Sequence, residues 1–598
     1  MCGVLMTTES SFAESARWTR AMEVLECRGP DSCGDVSDSH MRQGHRRLAV
    51  IGLGEAGFQP YRNGSGQDSL VYNGEIYNYR ELSSEIGIEA DSDTHLLFEL
   101  LRRGDQERLQ RLRGMYAFAY WNPGTESIVT ARDPFGIKPL YVLRHPSGEL
   151  SFASVAAALA SSGDAGGPNA EGIAGFLASG LFPIGTSPFE RIEKLAPGEI
   201  STWRRVGHSW RSEPTPISIA TFPTMSTEAA ISDSVKAHLV SDVPVGVLLS
   251  GGIDSTLIAA LAARSNPGLR TYSLTNPDHP EIDESAYARH NAALIGSVHT
   301  EVPASPRLLA REVAPLIASS GEPFGDAGFL PLSLLCREVS AGVKVALAGE
   351  GADELYGGYR RYDVERHLYS SMTRVPLEAL ALLAGGRRTS ANPASQRART
   401  IAAWSRGPGP MSHAQLFSAE WGLVGQILPS ATVSAMRRLS KNWDADTNDP
   451  LGLSFPAYRA FDLRQWLANV FLEKSDRASM LHSLEVRVPF VDPVVANAAS
   501  EYVPQDSRKG PLREALYAAL PDVQLPSKKM GLSVASDAVT DDAHLEESIT
   551  RVINDRESVL NQIGMNSPEL LSSRARTNSG LRFRLATLGV WDEIWSNN

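Results

Sequence analysis

The run PVGVLLSGGIDSTLIAALAAR (244–264) decides how the second half of this chain folds. PVGVLL (244–249) is a short apolar stretch of strand length, and STLIAALAAR (255–264) reads as a helix. A turn with two glycines joins them. Beyond it, LRTYSLT (269–275) predicts a strand, DESAYARHNAALIG (283–296) a helix and KVALAG (344–349) a second buried strand. Strands alternating with helices predict a parallel α/β sheet. From about 355 onward the pattern is mostly helical, and RRTSANPASQRART (387–400) reads as a mobile loop.

The turn itself, SGGIDS (250–255), has the chemistry of a phosphate cradle. Glycines bring successive N–H groups toward an anion, and the following helix presents the positive end of its dipole. Ser250 and Ser255 add hydroxyls. The spacing is neither a Walker A loop nor G-x-G-x-x-G. Asp254 beside phosphate calls for a divalent cation, and oxygen ligands suit Mg²⁺. KVALAGEGADELYGGY (344–359) repeats the design: strand, glycine turn, carboxylates. Ligands gather at the carboxyl ends of parallel strands, so both turns are expected to face one pocket, with Glu350, Asp353 and Glu354 crowding Asp254. Taken singly, each stretch also fits a plainer account, a glycine-containing connection and a solvated acidic turn.

The first 200 residues have another texture. LAVIGL (48–53), SLVYNGEIYN (69–78), MYAFAYW (115–121), SIVTARD (127–133) and LYVL (140–143) read as strands, and THLLFELLRRG (94–104) as a helix. Residues 161–168 read as a loop, and SEPTPISIATFPT (212–224) as a domain boundary. The chain opens MCGVLM (1–6). Removal of the first methionine would leave Cys2 with a thiol and a free α-amine on one residue.

The 598 residues suffice for two to four domains. A net charge of -12 argues against a nucleic-acid partner. The four cysteines, Cys2, Cys27, Cys33 and Cys336, are too sparse for a disulfide framework and form no C-x-x-C pair. No signal-peptide pattern and no apolar run of about 18 residues occurs, so a cytoplasmic location with no membrane partner is expected.

SGGIDS resembles the PP-loop of ATP pyrophosphatases. Its pairing with an initial MCG is similar to the glutamine-hydrolysing asparagine synthetases, class II glutamine amidotransferases, in their bacterial long form. RGPD (28–31), HRRLAVIG (45–52), NGEIYN (73–78), SDTHLL (92–97), RDPFGIKPLY (132–141), GEGADELYGGY (349–359), DRASMLHSLEVRVPFVD (476–492) and KGPLR (509–513) agree in order. The resemblance implies an N-terminal-nucleophile αββα glutaminase over 1–212 and a PP-loop synthetase over 225–598, with a parallel α/β sheet and a helical C-terminal part.

It further implies that Cys2 attacks glutamine and that Asn73 and Gly74 form the oxyanion hole. Arg47 would hold the glutamine α-carboxylate and Glu75 and Asp93 its α-amine, with Leu48, Val50 and Ile51 completing the site. On the ATP side, Leu248, Leu274, Ala348 and Gly349 would contact adenosine, and Ser250, Gly251, Gly252, Asp254 and Ser255 would line the phosphate loop. Asp254 and Asp353 would hold magnesium, Glu350 would stand near an acyl-adenylate, and Lys509 would stabilise charge during adenylation. Ala348 stands where most relatives have serine. The implied substrates are glutamine, ATP and a carboxylate acceptor, by default aspartate, and a homodimer is common in the family. GEPFGDAGFLPLSLLCR (321–337) resembles a subgroup whose members also tailor secondary metabolites or cell-surface molecules. The alternative acceptor is therefore a different carboxylate, with glutamine or another amine-type donor. A sensor that only binds is the third reading, against which stands the full set of motif positions.

Overall fold

The computed structural model describes residues 2–62, 67–219, 222–359, 362, 421–435, 457–500, 502, 508–527 and 536–595. Among the described residues, eleven strands precede residue 217: β1 (Cys2–Thr7), β2 (Ser32–Ser37), β3 (Arg42–Arg47), β4 (Ser69–Ile76), β5 (Gly114–Asn122), β6 (Ser127–Arg132), β7 (Tyr141–Arg144), β8 (Leu150–Ala153), β9 (Ile192–Lys194), β10 (Glu199–Val206) and β11 (Ser209–Pro216). They form two antiparallel sheets, ordered β2-β3-β1-β8-β7-β9 and β11-β10-β6-β5-β4.

Alternation along the strands shows why MYAFAYW reads as an unbroken apolar run. Ala117, Ala119 and Trp121 of β5 join Val4, Met6 and Val71 between the sheets. Tyr116, Phe118 and Tyr120 face the other way, onto Leu96, Leu97 and Leu100 of the helix Asp93–Arg103. Both faces are buried, so neither is polar. The helices Ala16–Val24 and Ala156–Ala160 pack on the outside of the first sheet, giving an αββα sandwich.

Among the described residues, five strands then form a parallel sheet: β12 (Val245–Leu248), β13 (Arg270–Thr275), β14 (Val298–Pro303), β15 (Val345–Leu347) and β16 (Glu485–Arg487), ordered β14-β13-β12-β15-β16. The chain moves outward from β12 to β14, then returns to β15 beside β12. That reversal opens a crevice at the carboxyl ends of β12 and β15, where both glycine turns sit.

One expectation is corrected. No strand covers 48–53; β3 ends at Arg47 and a loop follows. The real strand, RQGHRR, hides from a hydrophobic reading because its buried side chains, Gln43, His45 and Arg47, are polar. Within the stretch expected as a boundary, 212–224, β11 runs on to Pro216, paired with β10, and then ends. The loop expected at 387–400 lies outside the described residues. Among the described residues, no helix is long and apolar enough to cross a membrane.

Asp133 explains much of RDPFGIKPLY. Its buried carboxylate accepts the N–H groups of Phe135 (3.1 Å), Ile137 (2.9 Å), Lys138 (3.0 Å) and Tyr116 (3.3 Å). The resulting turn delivers Lys138 Nζ to 3.6 Å from Asp476, at the seam between sandwich and parallel sheet. Asp133→Ala orphans several buried donors and should cost about 3 kcal/mol or more. Urea denaturation should show the midpoint falling further for this variant than for Asp133→Asn; equal midpoints for wild type and both variants would refute the role.

Candidate active sites

Cys2 opens β1, with Arg47 opposite it in β3. Its backbone nitrogen donates to Asn73 Oδ1 at 2.9 Å, and Arg28 Nε donates to its carbonyl at 3.3 Å. Burial above all pushes the thiol up, so a base is needed to form the thiolate. Asn73 has one half of its amide engaged and the other not: Nδ2 is buried and makes no hydrogen bond among the described residues. A fixed, dry, unpaired donor beside a nucleophile is what a developing oxyanion requires. Gly74 follows Asn73 in β4.

Asp93 accepts hydrogen bonds from Tyr72 Oη (2.9 Å), Ile76 N (3.0 Å) and Thr94 N (2.7 Å), yet burial still raises its pKa. Burial, then the Asp93 and Glu485 carboxylates, pushes Glu75 well above the ordinary range. Two such acids gathered together gain from an incoming ammonium. Arg47 is placed differently from a free clamp. Its Nη1 donates to Gly54 O at 2.9 Å and its Nη2 to Ile51 O at 3.2 Å and to Gly52 O. It therefore closes the loop that carries Leu48, Val50 and Ile51.

The second site is a cavity of about 330 Å³ at the crevice. Leu248, Ser250, Asp254, Ser255, Leu274, Ala348, Gly349, Glu350, Asp353 and Glu354 all line it, so the two turns do converge. Gly251 and Gly252 shape the turn but are not in the wall. Gly251 has φ +79° and a Cβ there would lie 2.7 Å from Ala288 N, so only glycine fits. Ser250 N donates to Ser255 Oγ at 3.1 Å, and the two hydroxyls lie 3.0 Å apart. The Ala348 N–H is committed to Arg487 O at 2.8 Å, so only the rest of that residue is open to the cavity.

Lys509 binds the turns together. Its Nζ lies 2.7 and 2.6 Å from the Asp254 oxygens and 2.7 Å from Asp353 Oδ1. It is buried and holds φ +57°, a strained conformation for lysine that its surroundings must impose. A Cβ on Gly358 would fall 1.8 Å from Asp353 Oδ1, so that glycine lets the loop close over the carboxylate. Two carboxylates converging on one cation are also the donor set Mg²⁺ takes alongside phosphate oxygens, so these residues fit that ion. Among the described residues, no group of three or more His, Cys, Asp or Glu is arranged to hold a metal by itself.

Sequence reasoning missed part of the wall. Tyr272, Asn276, Tyr359, Phe471 and Lys474 also line the cavity. Lys474 Nζ pairs with Asp326 Oδ2 at 3.2 Å, and Tyr359 Oη donates to Glu354 Oε1 at 2.5 Å. Lys474 lies two residues before the DRASM stretch, and only its helical spacing from Phe471 could have drawn attention to it.

Comparison with known proteins identifies related sequences. A family model for asparagine synthase matches residues 226–585, and one for a glutamine amidotransferase domain matches 1–212. Asparagine synthetase [glutamine-hydrolyzing] 1 of Bacillus subtilis is 32% identical over 86% of this chain and 83% of its own length. Asparagine synthetase B [glutamine-hydrolyzing] of Escherichia coli is 31% identical over 56% and 60%. Among solved structures, glutamine phosphoribosylpyrophosphate amidotransferase from B. subtilis aligns at 16% identity over 51% of this chain and 82% of that one, with a TM-score of 0.27. On the sequence matches, the chain belongs to the asparagine synthase family, with a glutamine amidotransferase domain over residues 1–212.

Proposed function

We propose that the protein is a glutamine-dependent amidotransferase that converts aspartate to asparagine, with glutaminase chemistry in 1–212 and ATP chemistry in 225–598. The observation that carries the reading is Asn73, oriented through Oδ1 by the Cys2 nitrogen while its Nδ2 stays buried and, among the described residues, unpaired. With Met1 removed, the Cys2 α-amine takes the thiol proton as sulfur adds to the glutamine carboxamide carbon. Asn73 Nδ2 and the Gly74 N–H stabilise the oxyanion, and the protonated amine then gives its proton to the leaving ammonia. Water hydrolyses the thioester to glutamate. Glu75 and Asp93 receive the substrate α-ammonium.

In the crevice, the acceptor carboxylate attacks the α-phosphate of ATP, forming an acyl-adenylate and releasing pyrophosphate. Ammonia attacks the acyl carbon, Glu350 takes a proton, and AMP leaves. Lys509 places positive charge where phosphate charge builds. Asp254 and Asp353 would hold Mg²⁺, which supplies charge neutralisation on the pyrophosphate. The two turns lining one cavity support this half. The Lys474 side chain in the cavity wall, beside Asp326, favours an acidic acceptor.

Cys2→Ala should abolish glutamine-dependent synthesis while ammonia-dependent synthesis persists; loss of both would refute the division of labour. Asn73→Ala should lower the glutaminase kcat about 10²–10³-fold. Lys509→Met should depress pyrophosphate release with little change in glutamate release. Product analysis with glutamine, MgATP and aspartate should show AMP, and ADP in its place would contradict the mechanism.

A further inference from the structure

The loop after β3 is held from outside its own sandwich. The Asp242 N–H donates to Val50 O at 2.9 Å, and the Asp242 carboxylate accepts the Gly52 N–H at 2.7 Å. Just ahead of those two points, the Ala49 N–H donates to Asp31 Oδ2 at 2.7 Å. Asp31 is in turn gripped by Lys344 Nζ, 2.9 Å from both its oxygens. Asp242 lies three residues before β12 and Lys344 immediately before β15.

These are the neighbouring strands whose opposite ends carry the two turns of the crevice. Strands this short span only about 10–13 Å at roughly 3.3 Å per residue. A third tie runs through Arg487. Its Nη1 donates to His238 O (2.7 Å) and Val240 O (2.6 Å), just ahead of Asp242, while its own carbonyl accepts the Ala348 N–H in the cavity wall. One stiff sheet therefore touches the loop bearing Leu48, Val50 and Ile51 at its amino edge and the nucleotide crevice at its carboxyl edge.

We propose that Asp242, together with Lys344 acting through Asp31, is a positioning residue for glutamine: the parallel sheet sets the shape of loop 48–54, and nucleotide binding at the far ends of β12 and β15 changes the affinity for glutamine through these contacts. This inference rests on the glutaminase reading given above. Neither residue touches a reacting atom. Their effect is on the loop's backbone, whose N–H and C=O groups they orient. An unpinned loop samples more conformations, so the cost falls on binding rather than on turnover.

The test uses the full chain and measures glutamate release with and without MgATP, alongside ammonia-dependent pyrophosphate release. Asp242→Ala and Lys344→Met should each raise KM for glutamine about tenfold, the worth of one or two hydrogen bonds, with kcat within about twofold. Lys344→Arg, which can still grip Asp31, should stay near wild type. MgATP should shift the wild-type KM for glutamine, and the shift should vanish in the double variant. Ammonia-dependent pyrophosphate release should be unchanged throughout. An unaltered glutamine KM in both variants overturns the inference, and so does a parallel fall in ammonia-dependent activity, which marks a general structural defect. A wild type with no glutaminase activity overturns the functional reading itself, and this inference with it.

Discussion

The carboxylate of Asp476 is the constraint on which the arrangement of this protein depends. It is buried at the seam between the antiparallel sandwich and the parallel sheet, and it belongs to the latter half of the chain. Arg28 grips both its oxygens, at 2.8 and 3.1 Å, and Lys138 stands at 3.6 Å; both cations come from the sandwich. Burial alone would raise its pKa, but Arg28 and Lys138 outweigh burial and hold it below the ordinary range. A depressed carboxyl contributes stability that is present at neutral pH and lost as pH falls through its folded pKa. Removing one member of such a pair leaves a buried charge uncompensated, at a cost of about 3–5 kcal/mol. Arg28 also donates to the Cys2 carbonyl, so the contact that joins the halves fixes the proposed nucleophile.

Around that seam, the chemistry divides by electrostatic need. The Cys2 side gathers acids that burial keeps from ionising freely, Glu75 and Asp93, and an unpaired amide donor. The crevice gathers acids already satisfied by a cation, Asp254 and Asp353 around Lys509. The first suits a substrate that brings its own ammonium and develops an oxyanion. The second suits an anionic nucleotide whose charge must be met by fixed and bound cations. Geometry by itself can mislead here. His145 lies 2.7 Å from both Asp164 and Ser151, an arrangement resembling a hydrolase triad. Ser151 is wholly buried and donates to Thr7 Oγ1, so this trio is a core network under the first sheet.

Much of the fold was legible from the sequence where burial is apolar. β4, β5, β6, β12, β13 and β15 follow the apolar runs that predicted them, because both faces of those strands are covered. β3 escaped because its buried side chains are polar, and β16 because three residues carry no period. The convergence of SGGIDS and GEGADE on one cavity followed from the rule that ligands meet the carboxyl ends of parallel strands. What no pattern could supply was pairing across long separations: Lys509 with Asp254, Arg28 with Asp476, Asp242 with Gly52. RGPD, RDPFGIKPLY and the 476–492 stretch could be quoted as motifs, but only the folded chain shows that Arg28, Lys138 and Asp476 meet. Arg47, expected as a substrate clamp, is found bracing its own loop, because three nearby carbonyls lie within reach of its guanidinium.

The central claim is that nitrogen freed at Cys2 is the nitrogen installed in the crevice. Mass spectrometry of the amide product, formed from amide-¹⁵N glutamine with MgATP and aspartate in the presence of excess unlabelled ammonium, tests it most directly. The account predicts asparagine carrying predominantly ¹⁵N. Product carrying only the unlabelled nitrogen of the medium would contradict it.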